Sequence, residues 1–321
     1  MTQPTQPTQQ PGPRLPITPQ LAAQMNQLGF QNSGLVVKDY QDHPSVCLVV
    51  EGDTKAGKNI FAFRDTPRGV AIFSSDAGTV PAMESCGLNE SNSVYFYFEM
   101  PDTSAAVVRH GTPEQDTIAK AAKLRARQEA TTLWPKVKAA MGFVLDNYRA
   151  LGVRTVVLDT ANSLWDLCQI YHQGKLIEIP KEVYPVMNAD FKGQVMQFSQ
   201  VRGLTTLLLS RVKPEYKDQK VQVNGETKTI SVKTGKQVRQ GWAQLDYESD
   251  ATVRCELDPI TGIYRSVIVG SRHRATEVRG MVFETSLTYK DEWDETVVTK
   301  DTNSFINVAE ALRPKTKGMW R

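Results

Sequence analysis

Ser45-Val46-Cys47-Leu48-Val49-Val50-Glu51-Gly52-Asp53-Thr54-Lys55-Ala56-Gly57-Lys58-Asn59 is the stretch that decides how the chain is read. An apolar run leads into Gly-x-x-x-x-Gly-Lys, and a helix-compatible segment follows. That is the layout of a phosphate-binding loop. Backbone N–H groups turn inward on a phosphate, and a helix N-terminus adds partial positive charge. Gly52 and Gly57 permit close backbone approach, with Asp53, Thr54, Lys55 and Ala56 forming the loop between them. Lys58 is placed to reach the outer phosphates. The next residue is usually Ser or Thr, whose hydroxyl ligates Mg²⁺; here it is Asn59. A Gly-rich turn after a strand carries the same pattern, so the rest of the chain has to decide.

The chain has 321 residues, of which 40% are hydrophobic, enough for one large α/β domain or two smaller ones. A net charge of +3 announces no general affinity for nucleic acid. The cysteines Cys47, Cys86, Cys168 and Cys255 form no CxxC pair and read as reduced, which places the protein in the cytoplasm. The histidines are scattered, which argues against a zinc or di-iron cluster. No apolar run approaches the roughly 20 residues that span a bilayer, so no membrane partner is expected.

Residues 1–18 repeat Thr, Gln and Pro and are expected to be a disordered tail. Residues 19–43 form a lead-in with a short helix over 19–29. Val46–Val50 reads as a strand covered on both faces. A helix then begins at Ile60 and stops near Pro67. Val70–Phe73 is a second strand ending in Ser74-Ser75-Asp76-Ala77-Gly78, which puts Asp76 at the carboxyl edge where open parallel sheets bind ligands. Val94–Phe98 is an aromatic strand followed by a further acid, Glu99. Thr112-Pro113 starts a helix over 113–150, which Pro135 is expected to break or kink. Its cations Lys120, Lys123, Arg125 and Arg127 read as a solvated face.

Arg154–Thr160 is a buried strand ending in Asp159, about a hundred residues after the glycine loop and inside a β/α alternation. An acid so placed suits Mg²⁺, usually through water. Helices are expected at 161–171 and 190–203. Leu204–Leu209 is the next strand and ends in Ser210-Arg211. Residues 211–239 then hold Arg211, Lys213, Lys217, Lys220, Lys228, Lys233, Lys236 and Arg239 against three acids, a local charge of +5. Asn224-Gly225 marks a hairpin turn within it. Such a hairpin, an insert of about 211–240, suits a nucleic-acid backbone, although edge hairpins also carry lysines against aggregation. The end of the chain reads as β-rich, with strands at 242–247, 251–257, 264–270 and 281–287, before a basic tail at 313–321.

Taken in order, GDTKAGKN, SSDAG, VVLDT, LLLSR and the late VIVGSRHR resemble the RecA-like P-loop ATPases of bacteriophages, and among them the Sak-type single-strand-annealing proteins. The likeness covers about residues 35–312. It implies an α/β, RecA-like P-loop NTPase core over 44–312, with a mainly parallel central sheet covered by helices and a β-rich C-terminal extension of the sheet. ATP and Mg²⁺ are the implied cofactors. Single-stranded DNA, further copies in a ring or filament, and a phage or host single-strand-binding protein are the implied partners. Gly52 to Asn59 would cradle the phosphates, Asp159 and Asn59 would hold Mg²⁺, and Asp76 would activate water. Ser210 would sense the γ-phosphate, and Arg272 and Arg274 would reach a neighbouring subunit's nucleotide. Two departures bear on turnover. Asn59 offers a carbonyl in place of a hydroxyl, and Asp76 is one methylene shorter than the family's glutamate. Slow hydrolysis, or binding without turnover, is therefore expected, and a non-catalytic nucleotide-binding protein or a ring translocase remain alternatives.

Overall fold

The computed structural model describes residues 44–104, 112–173, 182–223, 226–242, 244–272, 275–285, 288–290, 296–298 and 302–320. The expected tail at 1–18, the lead-in at 19–43, the Asn224-Gly225 turn, and His273 with Arg274 lie outside these residues. In chain order the elements are β1 (Cys47–Gly52), α1 (Lys58–Arg64), β2 (Val70–Ser74), α2 (Thr79–Ser85), β3 (Ser93–Tyr97), α3 (Pro113–Asn147), β4 (Thr155–Asp159), α4 (Ala161–Gln173) and α5 (Tyr184–Val195). There follow β5 (Thr205–Val223), β6 (Glu226–Arg239), α6 (Leu245–Glu248), β7 (Ala251–Leu257), β8 (Tyr264–Ser271), α7 (Ala275–Val278) and β9 (Val282–Glu284). The small pair β10 (Thr288–Lys290) and β11 (Thr296–Val298), the helix α8 (Phe305–Leu312) and a 3₁₀ turn, Pro314–Thr316, follow.

The main sheet runs β3-β2-β4-β5-β1-β7-β8-β9. Its first six strands are parallel, and β8 and β9 add antiparallel at the C-terminal side. This is the expected α/β class, with a mainly parallel sheet under helices and a β-rich extension. Every residue of β1, β2 and β4 is buried, as continuous apolar runs require when both faces are covered.

Strand alternation sorts the core into two layers. On one face Cys47, Val49, Phe73 and Leu158 meet Trp134 and Met141 of α3, Leu164 of α4 and Phe191 of α5. On the other, Leu48, Val50, Ile72, Val157 and Leu209 meet Phe61 and Phe63 of α1, Met83 of α2 and Phe305 of α8. The alternation that faces Val50, Ile72, Val157 and Leu209 to the second layer carries Gly52, Ser74, Asp159 and Arg211 to that same side at the carboxyl edge. Glu51 and Ser210 fall on the first.

Several expectations need correction. Helix α3 runs unbroken through Pro135. A proline inside a helix costs about 3 kcal/mol, and here buried Trp134, Val137 and Ala130 pin both sides of it to the core. Its start is as expected, with Thr112 and Gln115 forming a capping box and Pro113 in the first turn. The expected strand at 242–247 is instead the short helix α6, because β7 already has β1 and β8 on its two edges. The helix expected from Asp190 begins at Tyr184 and ends at Val195, and a short 3₁₀ turn, Phe198–Gln200, follows. Strand β5 does not stop at Leu209 but continues to Val223, paired antiparallel with β6 beyond the sheet as a long arm. The basic segment after α8 lies against the core: Trp320 is buried edge-on to Phe305 at 5.6 Å, and Arg313 reaches Asp250 at 3.3 Å.

Candidate functional site

The loop between β1 and α1 is shaped by what its glycines exclude. A Cβ on Gly52 would stand 2.4 Å from the Cys255 carbonyl oxygen, and one on Gly57 would stand 2.6 Å from Cδ1 of Tyr264. Gly57 also has φ of 84°, the left-handed region that glycine adopts without strain. Strands β7 and β8 thus press directly against the loop, and no larger residue fits at either place. Lys58 opens α1, and its amine donates to the carbonyls of Gly52 at 2.9 Å and Asp53 at 2.6 Å. Burial pulls its pKa below the ordinary lysine value, while the negative charge of Asp159 opposes the shift.

A cavity of about 450 Å³ opens here, lined by the loop residues Thr54–Asn59 together with Asp76, Asp159, Arg211 and Tyr264. It lies at the carboxyl edge of the parallel strands, where crossover folds place ligands. Strand β5 separates β1 from β4, so the cavity spans the ends of β1 and β4 and the point where β5 leaves the sheet, with Gly52 opposite Arg211 and Asp159 opposite Leu209 in register.

Asp159 is 1% exposed. Its Oδ2 accepts from Thr79 Oγ1 at 2.5 Å and from Asn59 Nδ2 at 3.0 Å, while Ser74, 3.5 Å away, gives its single proton to Thr79 Oγ1 at 2.7 Å. Burial pushes its carboxyl above the usual range, and the Thr79 hydrogen bond acts against that. Asn59 therefore meets Asp159 as a donor, through its N–H₂.

Asp76 lines the same cavity. Its Oδ1 accepts the Gly78 N–H at 2.9 Å, and its Oδ2 is 3.6 Å from the Arg211 guanidinium. Ser210 does not join them. It is fully buried on the opposite face of the sheet, with its hydroxyl unpaired among the described residues. The residue that β5 delivers to the cavity is Arg211, one position on, because successive strand side chains alternate. Arg272 is also elsewhere. It lines a second cavity of about 500 Å³ with Glu51, Arg239, Asp250 and Arg254. Glu99 is exposed and lines neither.

The basic arm is sorted in the same way. Lys213, Lys217, Lys233 and Lys236 are exposed along it, with Tyr216 opposite Lys233 and also exposed. Arg239 instead binds Asp246 through both terminal guanidinium nitrogens, so it is part of the arm's root. The side chains of Lys220 and Lys228 lie outside the described residues. Gln237 ties the arm to the loop, donating to Asp53 Oδ2 at 2.7 Å.

Away from this edge, Cys168, His172 and Asp190 come within 4.8 Å of one another. Both Asp190 oxygens are occupied: Trp134 Nε1 donates at 2.7 Å, Lys138 Nζ at 3.0 Å, and His172 Nε2 lies at 3.0 Å. Burial raises the Cys168 thiol pKa. With a lysine cation on the carboxylate and a neutral thiol, the cluster joins α3, α4 and α5 as a structural anchor and is a poor cation site.

Thr79, Ser74 and Tyr264 belong to the site although no motif marks them, and Arg211, expected on the basic hairpin, lines the cavity. A hydroxyl opening a helix just after a strand end was the available signal for Thr79. Tyr264 gave none, since its contact with Gly57 spans two hundred residues of chain.

No family model matches the sequence, and no curated protein matches it. Among solved structures, the chain is similar to a RadB recombinase with 12% identity and a TM-score of 0.38, over 78% of this chain and 90% of that one. It is similar also to the KaiC-like protein PH0186 from Pyrococcus horikoshii OT3, with 12% identity and a TM-score of 0.36, over 79% and 89%.

Proposed function

We infer that the chain is a RecA-like ATPase that binds ATP with Mg²⁺ in the cavity under Gly52–Asn59 and acts on single-stranded DNA, promoting annealing in the manner of the Sak-type phage proteins. The observation that carries this is one convergence. Lys58 at the start of α1, Asp159 at the end of β4 and Arg211 on β5 line a single cavity around a loop that only glycines permit.

The donor set fits the ligand. The loop N–H groups, Lys58 and Arg211 suit a polyphosphate, and Asp159 suits a hard cation. Mg²⁺, when bound, would neutralise phosphate charge beside Asp159. The chain's own parts have separable tasks. Lys58 binds the outer phosphates. Thr79 and Asn59 fix the orientation of Asp159, and Ser74 holds Thr79. Tyr264 forms a wall against the loop. Lys213, Lys217, Lys233 and Lys236 track a nucleic-acid backbone, with Tyr216 as a stacking surface. Arg272, exposed just past the end of antiparallel β8 beside Asp250, at the amino edge of the parallel strands, reaches a second copy in a ring or filament, and a single-strand-binding protein is a further partner.

The test is single-stranded DNA binding and complementary-strand annealing, with and without ATP, for the wild type and Lys58→Ala. ATP-dependent annealing lost in the variant supports the reading. Absence of DNA binding at low salt under every condition sinks it.

One observation favours a second reading, a nucleotide-binding protein without turnover. Asp76 faces a guanidinium at 3.6 Å and accepts a backbone N–H, so both of its oxygens already have partners. Nucleotide binding with neither hydrolysis nor an effect on DNA would select that reading.

A further inference from the structure

We propose that Arg211 recognises the terminal phosphate of the nucleotide bound by its own chain, and that Asp76 is its resting partner. The proposal rests on the nucleotide reading above and specifies which phosphate Arg211 meets.

Three relationships carry it. Arg211 stands opposite Gly52 in the β1–β5 register and faces the side of the sheet that holds Asp159, so its guanidinium shares the cavity with Lys58. Its contact with Asp76 is long, 3.6 Å, with half of the arginine side chain and 42% of the aspartate exposed. Exposed pairs of this kind hold weakly. A phosphate, which accepts two parallel N–H bonds from one guanidinium, is the stronger partner. The backbone of Arg211, by contrast, is fixed. Its N–H donates to Asn162 Oδ1 at 2.8 Å, Asn162 Nδ2 donates to the Gln240 carbonyl at 2.5 Å, and the Gln240 N–H donates to the Arg211 carbonyl at 2.8 Å.

One buried asparagine of α4 thus clamps both strands at the root of the arm. The clamp is tight, since a Cβ on Gly241 would lie 2.7 Å from Asn162 Nδ2. The side chain of Arg211 can exchange partners while its backbone stays put, which is what recognition of one phosphate more or less requires. Lys58 cannot supply that distinction alone, because a loop lysine reaches the β- as well as the γ-phosphate. The arm begins at the same residue, and its other strand holds the loop through Gln237 and Asp53. The presence of a terminal phosphate is therefore felt directly at the arm's root.

The test is calorimetric titration of ADP and of a non-hydrolysable ATP analogue, each with Mg²⁺, into wild type, Arg211→Ala, Arg211→Lys and Asp76→Ala. Arg211→Ala is expected to weaken the analogue by about tenfold or more while ADP changes by less than about threefold. Arg211→Lys, which keeps the stem and the charge but not the fork, recovers part of that loss and serves if the alanine variant fails to fold. Asp76→Ala frees the guanidinium and leaves the analogue bound as tightly or more tightly. Equal losses for both nucleotides in the Arg211 variants, or none for either, overturn the proposal. Failure of the wild type to bind either nucleotide overturns instead the reading on which it rests.

Discussion

The Asn59 amide donates to the Asp159 carboxylate at 3.0 Å, joining the first turn after the loop to the end of a strand 100 residues later. Asn59→Ala removes one of the donors that offset the burial of this carboxylate. The expected losses are about 1–2 kcal/mol of unfolding free energy and about tenfold in Mg²⁺-dependent nucleotide affinity. Asn59→Thr offers a hydroxyl in its place and should keep the affinity and raise turnover. Thermal melts and titration with and without Mg²⁺ decide, and an Asn59→Ala variant indistinguishable from wild type would remove Asn59 from the site.

Gly52→Ala is expected to lower stability by about 2–4 kcal/mol, because overpacking against backbone cannot be relieved by a rotamer change. The added methyl would meet the Cys255 carbonyl at 2.4 Å. A melting temperature within a degree or two of wild type would show that β7 yields at that point.

Asp190 anchors three helices, and Asp190→Asn is expected to cost about 2–4 kcal/mol at neutral pH. Burial of the carboxylate works against its ionisation. Hydrogen bonds from Trp134, Lys138 and His172 outweigh it and hold the pKa below 3.8. The folded value is thus the lower one. The anchor's contribution is present above about pH 4 and is lost as pH falls through the depressed folded value. Urea unfolding from pH 3 to 7 should show a shallower acid loss in the variant, and parallel curves would refute the assignment.

The arm's exposed lysines make a salt-dependent claim. Replacing Lys213, Lys217, Lys233 and Lys236 by alanine should reduce the slope of log affinity against log salt for single-stranded DNA by about 3, at roughly 0.7 per lost phosphate contact. Nucleotide affinity should hold. An unchanged slope would place the DNA elsewhere on the molecule.

Much of this architecture could be read from local pattern. The run Cys47–Val50 before Gly52, and Thr155–Asp159 with its terminal acid, announced two central strands and the cavity between their ends. Local pattern failed where distant contacts decide. Ser210 and Arg211 are adjacent, and only the side of the sheet on which Leu207 and Leu209 are buried settles which of them enters the cavity. Trp242 and its neighbours resembled a strand, yet β7 had no free edge to receive one. Pro135 reads as a break or a kink, and the packing of Trp134 beside it keeps the helix from breaking. The anchor of Cys168, His172 and Asp190 joins residues on α4 and α5 whose spacing carries no motif.

The central claim is that Lys58 and Asp159 face one bound nucleotide. Calorimetric titration of ATP with Mg²⁺ into the wild type and Lys58→Ala tests it most directly. The expected result is one site per chain in the wild type, weakened by about a hundredfold in the variant as a charge-assisted phosphate contact is lost. No binding at millimolar ATP, or binding that Lys58→Ala leaves unchanged, would contradict it.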